Sequence, residues 1–198
     1  MDMPKDAQST PAKAPEFVIN TSKSPVITTI QEGGRKITTM VIAGCVSSPE
    51  HYAQAVNILY QANEGDQVKI ILVTPGGAVS TGCVMADAIL SSKAEVTGIA
   101  NGECASCGAF ILGVCDNIEV RPWGSVMFHG SSHFDMGKTA TVKERAENTL
   151  AYIEYLYSGF IKRGLLTEEE YLRLRDKKED IYLSAEELNS RLGGKSNE

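Results

Sequence analysis

The feature that most constrains this chain is an alternation of short β-branched runs with helical segments between residues 67 and 128. The runs QVKIILV, AEVTGIA, NIEV and SVMFHG read as strands, and AVSTGCVMADAILSS and SCGAFILGVC read as helices. Strands that alternate with helices form parallel sheets connected by crossover helices. The sequence therefore predicts an α/β fold, with the QVKIILV strand buried on both of its faces.

Glycine, proline and capping residues punctuate the flanking segments. Glu32-Gly33-Gly34 separates VITTIQ from RKITTMVIAGCV, which predicts a β-hairpin because glycine accepts the positive φ of tight turns. A helix is predicted to begin near Ser48-Pro49, with the serine as N-cap, and to end around residue 65. Thr167 and Ser184 each precede a glutamate by three residues, which predicts capping boxes that open two short helices.

A long amphipathic helix is predicted in TVKERAENTLAYIEYLYSGFIKRG, where apolar side chains recur every three or four residues. Tyr152, Leu156 and Phe160 form an apolar row that one small domain would have difficulty covering. At the other end, four of the seven prolines lie within the first 25 residues. We therefore expect residues 1–24 to form a flexible arm and residues 25–198 to form a single domain.

The charge balance and the apolar pattern exclude several functions. The chain has 198 residues with 19 basic and 25 acidic side chains, a net charge of −6 that argues against a nucleic-acid partner. No apolar run reaches the length of about 18 residues that a membrane span requires, and no secretion signal is evident. These features predict a cytoplasmic protein that binds proteins or small molecules. Its five cysteines are then expected to be reduced.

Histidine and serine are the residues that could carry chemistry here. His129 and His133 lie in SVMFHGSSH, where strand alternation places both on one face. A histidine that leaves an apolar strand beside a glycine can accept a proton at neutral pH, although an ordinary core or surface histidine also fits. His51 lies in an amphipathic helix and is expected to be a surface residue.

Ser106 lies where a loop of small residues is predicted to give way to a buried helix. A nucleophile there has free backbone N–H groups around it, and the amide of Cys107 could face an oxyanion. A helix cap is an equally good interpretation of Ser106. The turn Thr74-Pro75-Gly76-Gly77 also exposes backbone N–H groups, or is a simple β-to-α connection. Phosphate binding and a plain α/β-hydrolase are disfavoured because the GxGxxG, GxxxxGK[ST] and GxSxG motifs are absent.

Metal binding is the other chemistry to weigh, because Cys104-x-x-Cys107 precedes His129-x-x-x-His133. The two pairs lie farther apart along the chain than the ligand pairs of a zinc finger. Both cysteines also flank the start of an apolar helix rather than a metal-binding knuckle. We therefore expect no metal site and no redox dithiol.

Taken in chain order, four segments resemble the ClpP family, the proteolytic subunits of ATP-dependent Clp peptidases. These segments are PGG at 75–77, Gly102-x-x-Ala-Ser106-x-Gly108-Ala109, Met127-Phe-His129 and Asp180-Ile-Tyr-Leu-Ser-Ala185, and the resemblance covers about residues 40–193. It implies a Ser-His-Asp triad in which Ser106 is the nucleophile, His129 the general base and Asp180 its orienting carboxylate. It further implies that Gly77 and Cys107 donate backbone N–H groups to the oxyanion.

The resemblance also implies an architecture and partners. The implied fold is α/β of the Clp/crotonase type, with parallel β-strands, crossover helices and a protruding helical handle. The head would comprise about residues 25–130 and 165–193, and the handle about residues 131–164. Family members stack two seven-membered rings around a chamber in which unfolded proteins or peptides are cleaved. No cofactor is implied for this chain, because ATP would be used by an AAA+ unfoldase of the Clp type.

Several positions depart from the family pattern. Cys107 replaces a methionine after the serine, and Cys104 replaces another small or apolar residue. Lys69-Ile-Ile-Leu-Val-Thr74 lacks the tyrosines on which the ATPase docks, and Arg191-Leu-Gly-Gly lacks the usual apolar continuation. These differences indicate a divergent branch, such as one encoded by a bacteriophage, and they weaken the expectation of a standard Clp unfoldase as partner.

Three alternatives accompany this interpretation. Asp176 and Glu179 compete with Asp180, since all three lie in one charge-dense stretch. A crotonase-type acyl-CoA enzyme would need the oxyanion hole without the Ser-His-Asp set. A catalytically weak ClpP-like subunit would serve as a scaffold or ring partner. The altered docking strand and Cys107 are the reasons to consider this alternative.

Overall fold

A seven-stranded mixed sheet organises the residues that the computed structural model describes, which are 23–130 and 139–193. The strand order is β1-β2-β3-β4-β6-β7, and β5 also pairs with β4. Residues 1–22 of the predicted arm and His133 lie outside the described residues. The strands are β1 Val26–Glu32, β2 Arg35–Ala43, β3 Gln67–Thr74, β4 Glu95–Ala105, β5 Asn117–Val120, β6 Ser125–Phe128 and β7 Ile181–Ser184.

The first two strands form the hairpin that the sequence predicts. They pair antiparallel from Val26 opposite Val41 to Glu32 opposite Arg35. Gly33 and Gly34 form the two-residue connection with φ values of 58° and 84°. Positive φ at both positions is what a tight hairpin turn with the twist of the strands requires, and glycine adopts it without a steric penalty.

The centre of the sheet is parallel, which confirms the predicted α/β class. Strands β2, β3, β4 and β6 run parallel, with a register shift between β3 and β4 after Leu72, and helices lie between them in the sequence. The helices of this part are α1 Ala53–Gln61, preceded by a 3₁₀ turn at Pro49–Tyr52, α2 Val79–Ser91 and α3 Cys107–Gly113. Ser48 precedes the 3₁₀ turn and has an extended backbone. Its hydroxyl donates a hydrogen bond to the carboxylate of Glu50 and does not cap the helix.

The prediction that β3 is buried on both faces is wrong. Its residues alternate in burial, so that Val68, Ile70 and Leu72 face the core while Lys69 and Val73 are exposed. The buried side packs against the helices, as the contact between α3 and β3 illustrates. In the described residues the opposite side of the strand remains open to solvent.

Strand β4 is longer than the sequence suggests and pairs with two different strands. Its first half pairs with β5 through Ala100 opposite Val120, and its second half pairs with β6 through Cys104 opposite Val126. The sequence predicts that this strand ends near Ala100 and that small residues form a loop. The structure instead continues the strand to Ala105, because pairing with β6 satisfies its backbone groups.

The long helix α4 Thr139–Lys162 covers one end of the core. Ile153, Leu156, Tyr157 and Phe160 are buried on one side of it. The prediction that the row of Tyr152, Leu156 and Phe160 is hard to cover is therefore wrong for Leu156 and Phe160. The ring of Phe160 packs directly on Gly113, where a side chain would collide with it.

The C-terminal helices are α5 Glu168–Leu172 and α6 Ala185–Arg191, with a π-helical turn at Arg173–Lys177 between α5 and β7. Thr167 and Glu170 form the predicted capping box with both reciprocal hydrogen bonds. At Ser184 only half of the predicted box forms, because the Glu187 carboxylate bonds Arg191 instead of the backbone of residue 184. Among the helices of the described ranges, none combines the length and hydropathy of a bilayer span.

Candidate active site

Ser106 is a one-residue connection between a strand and a helix. Strand β4 ends at Ala105 and helix α3 begins at Cys107, so the chain reverses direction at the serine. The backbone of Ser106 has a φ of 54° and a ψ of −119°, a conformation that is strained for a residue with a side chain and that is concentrated at functional sites. Its amide donates a hydrogen bond of 2.9 Å to the carbonyl of Met127, which ties the turn to strand β6.

The same connection to β6 brings His129 to the serine. The Nε2 atom of His129 lies 2.6 Å from the Oγ atom of Ser106. If Nδ1 carries the ring proton, Nε2 accepts the hydroxyl proton of the serine. The structure thus brings together two of the predicted residues, in an arrangement suited to activating a hydroxyl as a nucleophile.

The Thr74-Pro75-Gly76-Gly77 turn packs directly on the serine. Gly76 has a φ of 97°, and a Cβ atom at this position would lie 2.6 Å from the Cβ atom of Ser106. The amide of Gly76 donates to the hydroxyl of Thr74 at 3.0 Å. The turn is held on its far side by residue 46, whose amide donates to the carbonyl of Gly76 and whose carbonyl accepts from Ala78.

The amides of Cys107, which follows Ser106, and of Gly77, which follows Gly76 in the glycine turn, have no hydrogen-bond partners in the part of the chain that the structure describes. The amide of Gly77 lies between the bonded groups of Gly76 and Ala78. The amide of Cys107 is the first of helix α3 and therefore lacks an acceptor within the helix. Free N–H groups beside a nucleophile can bind the negative oxygen of a tetrahedral intermediate.

The side chain of Cys107 packs against the start of helix α2. Its thiol donates to the carbonyl of Ala78 at 3.3 Å, and its sulfur occupies the space that a Cβ atom of Gly82 would need. Burial raises the pKa of the Cys107 thiol to about 12, with a smaller contribution from Cys83. The thiol is consequently neutral at physiological pH and acts as a packing group.

Asp180 comes near the site but does not touch the histidine. Strands β6 and β7 pair antiparallel up to Phe128 opposite Ile181, so the next step of this register places His129 opposite Asp180. The side chain of Asp180 is exposed, and no hydrogen bond joins it to His129 in the described ranges. Its competitors are engaged elsewhere: Asp176 pairs with Arg175 at 2.6 Å and Glu179 with Arg173 at 2.7 Å.

Metal chemistry finds no support in the described residues. No three His, Cys, Asp or Glu side chains converge there closely enough to hold a metal ion. Cys104 and Cys107 are free thiols buried in the core. Burial raises the pKa of Cys104 far above its ordinary value, so in the metal-free protein this thiol is neutral.

The sequence alone did not point to two residues that support this site. The hydroxyl of Tyr157 donates to the backbone carbonyl of His129 at 2.7 Å, yet in the sequence Tyr157 only belongs to the apolar pattern of a helix. The hydroxyl of Thr74 holds the glycine turn by accepting a hydrogen bond from the amide of Gly76. In the sequence, the only indication of this role is the position of Thr74 before Pro-Gly-Gly. Hydrogen bonds between side chains and backbone carbonyls or amides produce no periodic pattern in the sequence.

Comparison with known proteins gives consistent matches. The family model described as Clp protease matches residues 35–190. An ATP-dependent Clp protease proteolytic subunit of Physcomitrium patens is 29% identical over 144 residues, covering 69% of this chain and 71% of the relative. The corresponding subunit of Adiantum capillus-veneris is 31% identical over 141 residues, covering 68% and 69%. These matches give no support to the expectation of a bacteriophage source.

Proposed function

This chain belongs to the Clp protease family, and we propose that it is a serine endopeptidase that cleaves unfolded proteins or peptides. The proposed nucleophile is Ser106, the general base is His129 and the orienting carboxylate is Asp180. The observation that carries the proposal is the 2.6 Å separation of Ser106 Oγ and His129 Nε2 at the start of helix α3. Serine peptidases of this family split peptide bonds through an acyl-enzyme.

In the proposed acylation step, the Oγ atom of Ser106 attacks the carbonyl carbon of the scissile peptide bond. His129 Nε2 takes the hydroxyl proton as the new C–O bond forms. The carbonyl oxygen becomes an oxyanion, which the backbone N–H groups of Gly77 and Cys107 bind. Collapse of the tetrahedral intermediate breaks the C–N bond, and His129 returns the proton to the departing amine.

Deacylation repeats the sequence with water in place of the serine. His129 removes a proton from a water molecule, whose oxygen attacks the acyl carbon. The second tetrahedral intermediate collapses, the serine oxygen leaves, and His129 reprotonates it. The chemistry needs no cofactor in this chain, because every proton that moves is held by His129.

Asp180 has an electrostatic role in this scheme. A carboxylate near Nδ1 of His129 favours the tautomer that leaves Nε2 free, and it stabilises the imidazolium that forms during attack. The register of β6 and β7 supports this assignment, since it aligns Asp180 with His129 one step beyond the last strand pair. The arginine partners of Asp176 and Glu179 support it as well.

We further propose that the chain assembles into rings, because members of this family form stacked rings and associate with Clp ATPases. Two stacked heptamers would enclose the active sites, and an AAA+ unfoldase would use ATP to deliver substrates. Strand β3, whose Lys69 is exposed, lacks the tyrosines on which the ATPase docks in the family. The proposed docking of a standard Clp unfoldase therefore has less support than the proposed assembly into rings.

A fluorophosphonate probe followed by intact-mass measurement tests the catalytic proposal. We expect one adduct, located on Ser106 by peptide mapping. The adduct is absent in Ser106→Ala, and it forms at least about a hundredfold more slowly in His129→Ala because general-base catalysis contributes about 10²–10⁴. Ser48→Ala, which changes an exposed serine away from the site, is the matched control and should label as the wild type does.

One observation favours a second candidate, a weakly active ring subunit. The side chain of Asp180 is exposed and makes no hydrogen bond with His129 in the described residues. A folded and assembled protein that the probe does not label would support this scaffold function and refute the peptidase. Affinity for a coenzyme A thioester, measured by calorimetry on the same protein, would instead indicate crotonase-type chemistry.

A further inference from the structure

Tyr157 joins the long helix to the end of the strand that carries His129. It lies on α4, and its side chain is 2% exposed. Its hydroxyl donates a hydrogen bond of 2.7 Å to the backbone carbonyl of His129. The last residue of strand β6 that pairs with β7 is Phe128. The hydrogen bond from Tyr157 therefore holds the main chain at His129, the first residue after the paired strand.

The ring of Tyr157 also packs against elements on both sides of the site. It meets Phe110 edge-on at a centroid distance of 5.7 Å, and Phe110 belongs to the helix that begins at Cys107. It meets Phe128, the neighbour of His129, at 6.3 Å. Tyr157 thus contacts the nucleophile's helix through its ring and the histidine's backbone through its hydroxyl.

We infer that Tyr157 is a positioning residue, whose hydroxyl holds the backbone of His129 so that Nε2 reaches Ser106. The inference rests on the proposed function, because it concerns the placement of the proposed base. The imidazole begins at a backbone that the sheet no longer holds, and a shift of that backbone moves the whole ring. Misplacement by about 1 Å can cost a hundredfold in rate.

The donor role of Tyr157 is secure over the whole working range of pH. Burial, together with the neighbouring Tyr171 and the negative charge of Asp180, raises the pKa of the Tyr157 hydroxyl. The proton therefore stays on the tyrosine, and the backbone carbonyl of His129 always has a donor.

The test compares Tyr157→Phe with Tyr171→Phe in the full-length protein. The first variant keeps the ring and removes only the hydroxyl that bonds His129. The second removes a hydroxyl from the adjacent ring, 5.6 Å away on α5, which is not bonded to His129. We expect fluorophosphonate labelling of Ser106 to slow about tenfold in Tyr157→Phe and to stay at the wild-type rate in Tyr171→Phe. Thermal unfolding and assembly state are measured in parallel.

A double-mutant cycle shows whether Tyr157 acts through His129. In the His129→Ala background, Tyr157→Phe should cause no further slowing of the residual labelling. An equal slowing in both backgrounds, or slowing that accompanies loss of assembly, would overturn the positioning role. Wild-type labelling in Tyr157→Phe would refute this inference alone. A wild-type protein without a Ser106 adduct would refute the proposed function, and this inference with it.

Discussion

Gly76 lies so close to Ser106 that a Cβ atom on the glycine would be 2.6 Å from the Cβ atom of the serine. The same atom would be 2.8 Å from the carbonyl oxygen of Ala105. The turn after β3 therefore packs against the turn after β4 without space for a side chain. The next residue of the same turn is Gly77, the proposed oxyanion donor.

Gly76→Ala should separate these two turns. The new methyl group collides with Ser106, and the φ of 97° is strained for alanine. We expect the free energy of unfolding to fall by about 1–3 kcal/mol, and labelling of Ser106 by a fluorophosphonate to slow about a hundredfold. Gly65→Ala is the matched control, because Gly65 has a φ of 89° with nothing within 4 Å. It should lose stability and label normally; equal labelling of both variants would contradict the prediction.

Thr74→Val should weaken catalysis with little change of shape. Valine keeps the methyl group that packs on Gly108 but removes the hydroxyl that accepts the hydrogen bond from Gly76. Without that bond the turn is free to shift, so the proposed oxyanion donor at Gly77 is displaced. Peptide hydrolysis assays should show kcat about tenfold lower with KM nearly unchanged. Thr74→Ser retains the hydroxyl and should keep most of the activity; a serine variant as slow as the valine variant would argue against this account.

Three acidic residues lie close together in the sequence, and their substitution should have unequal effects. Asp180→Asn removes the charge that would orient His129, so we expect labelling of Ser106 to slow at least about a hundredfold. Asp176→Asn and Glu179→Gln remove carboxylates that bind Arg175 and Arg173. Both should label within about twofold of the wild type, because exposed ion pairs contribute little. The prediction fails if either control slows as much as Asp180→Asn.

The exposed Cys45 should react with iodoacetamide at pH 8 before the three buried residues Cys104, Cys107 and Cys115. Burial raises the pKa of Cys107 and of Cys115 to about 12, and it raises that of Cys104 further. At pH 8 the thiolate fraction of a group with a pKa of 12 is about 10⁻⁴, and these sulfurs are also inaccessible. Cys45 is exposed and should be modified first. Peptide mass spectrometry of the native protein checks this; rapid alkylation of Cys107 would contradict its burial.

Glu170→Gln should destabilise the protein near neutral pH and lose its effect in acid. The Arg191 guanidinium holds the pKa of Glu170 below its ordinary value of 4.5. Its contribution is therefore present above pH 4.5 and disappears as the pH falls through the lower folded value. We expect a loss of about 2 kcal/mol at pH 7, measured by urea unfolding at pH 7 and pH 3. Glu187→Gln, which changes the more exposed partner of Arg191, should cost less than about 1 kcal/mol.

Most of the architecture could be predicted from the sequence, because periodicity and punctuation report local structure directly. The Gly33-Gly34 hairpin, the alternating strands and helices, and the Thr167 capping box all form where these signals occur. The errors concern burial and strand length. The exposed face of β3 and the continuation of β4 to Ala105 depend on which element lies alongside, and sequence pattern does not record neighbours.

Only part of the candidate site could be predicted from the sequence. Ser106 and His129 stand out as residue types in unusual contexts, and their 2.6 Å contact joins segments on different strands. The roles of Thr74 and Tyr157 were not predictable, since each depends on one hydrogen bond to a backbone atom. The choice of Asp180 over its acidic neighbours stays a prediction, which the three substitutions above decide.

The pairing of β6 with both β4 and β7 has a mechanical consequence. His129 and Asp180 directly flank the paired ends of the antiparallel strands β6 and β7, whereas Ser106 directly follows β4. Strand β6 pairs with β4 through three residue pairs, from Glu103 opposite Ser125 to Ala105 opposite Met127, and it also accepts the hydrogen bond from the amide of Ser106. The β4–β6 pairing therefore sets the distance between base and nucleophile, whereas the β6–β7 pairing sets the alignment of base and carboxylate.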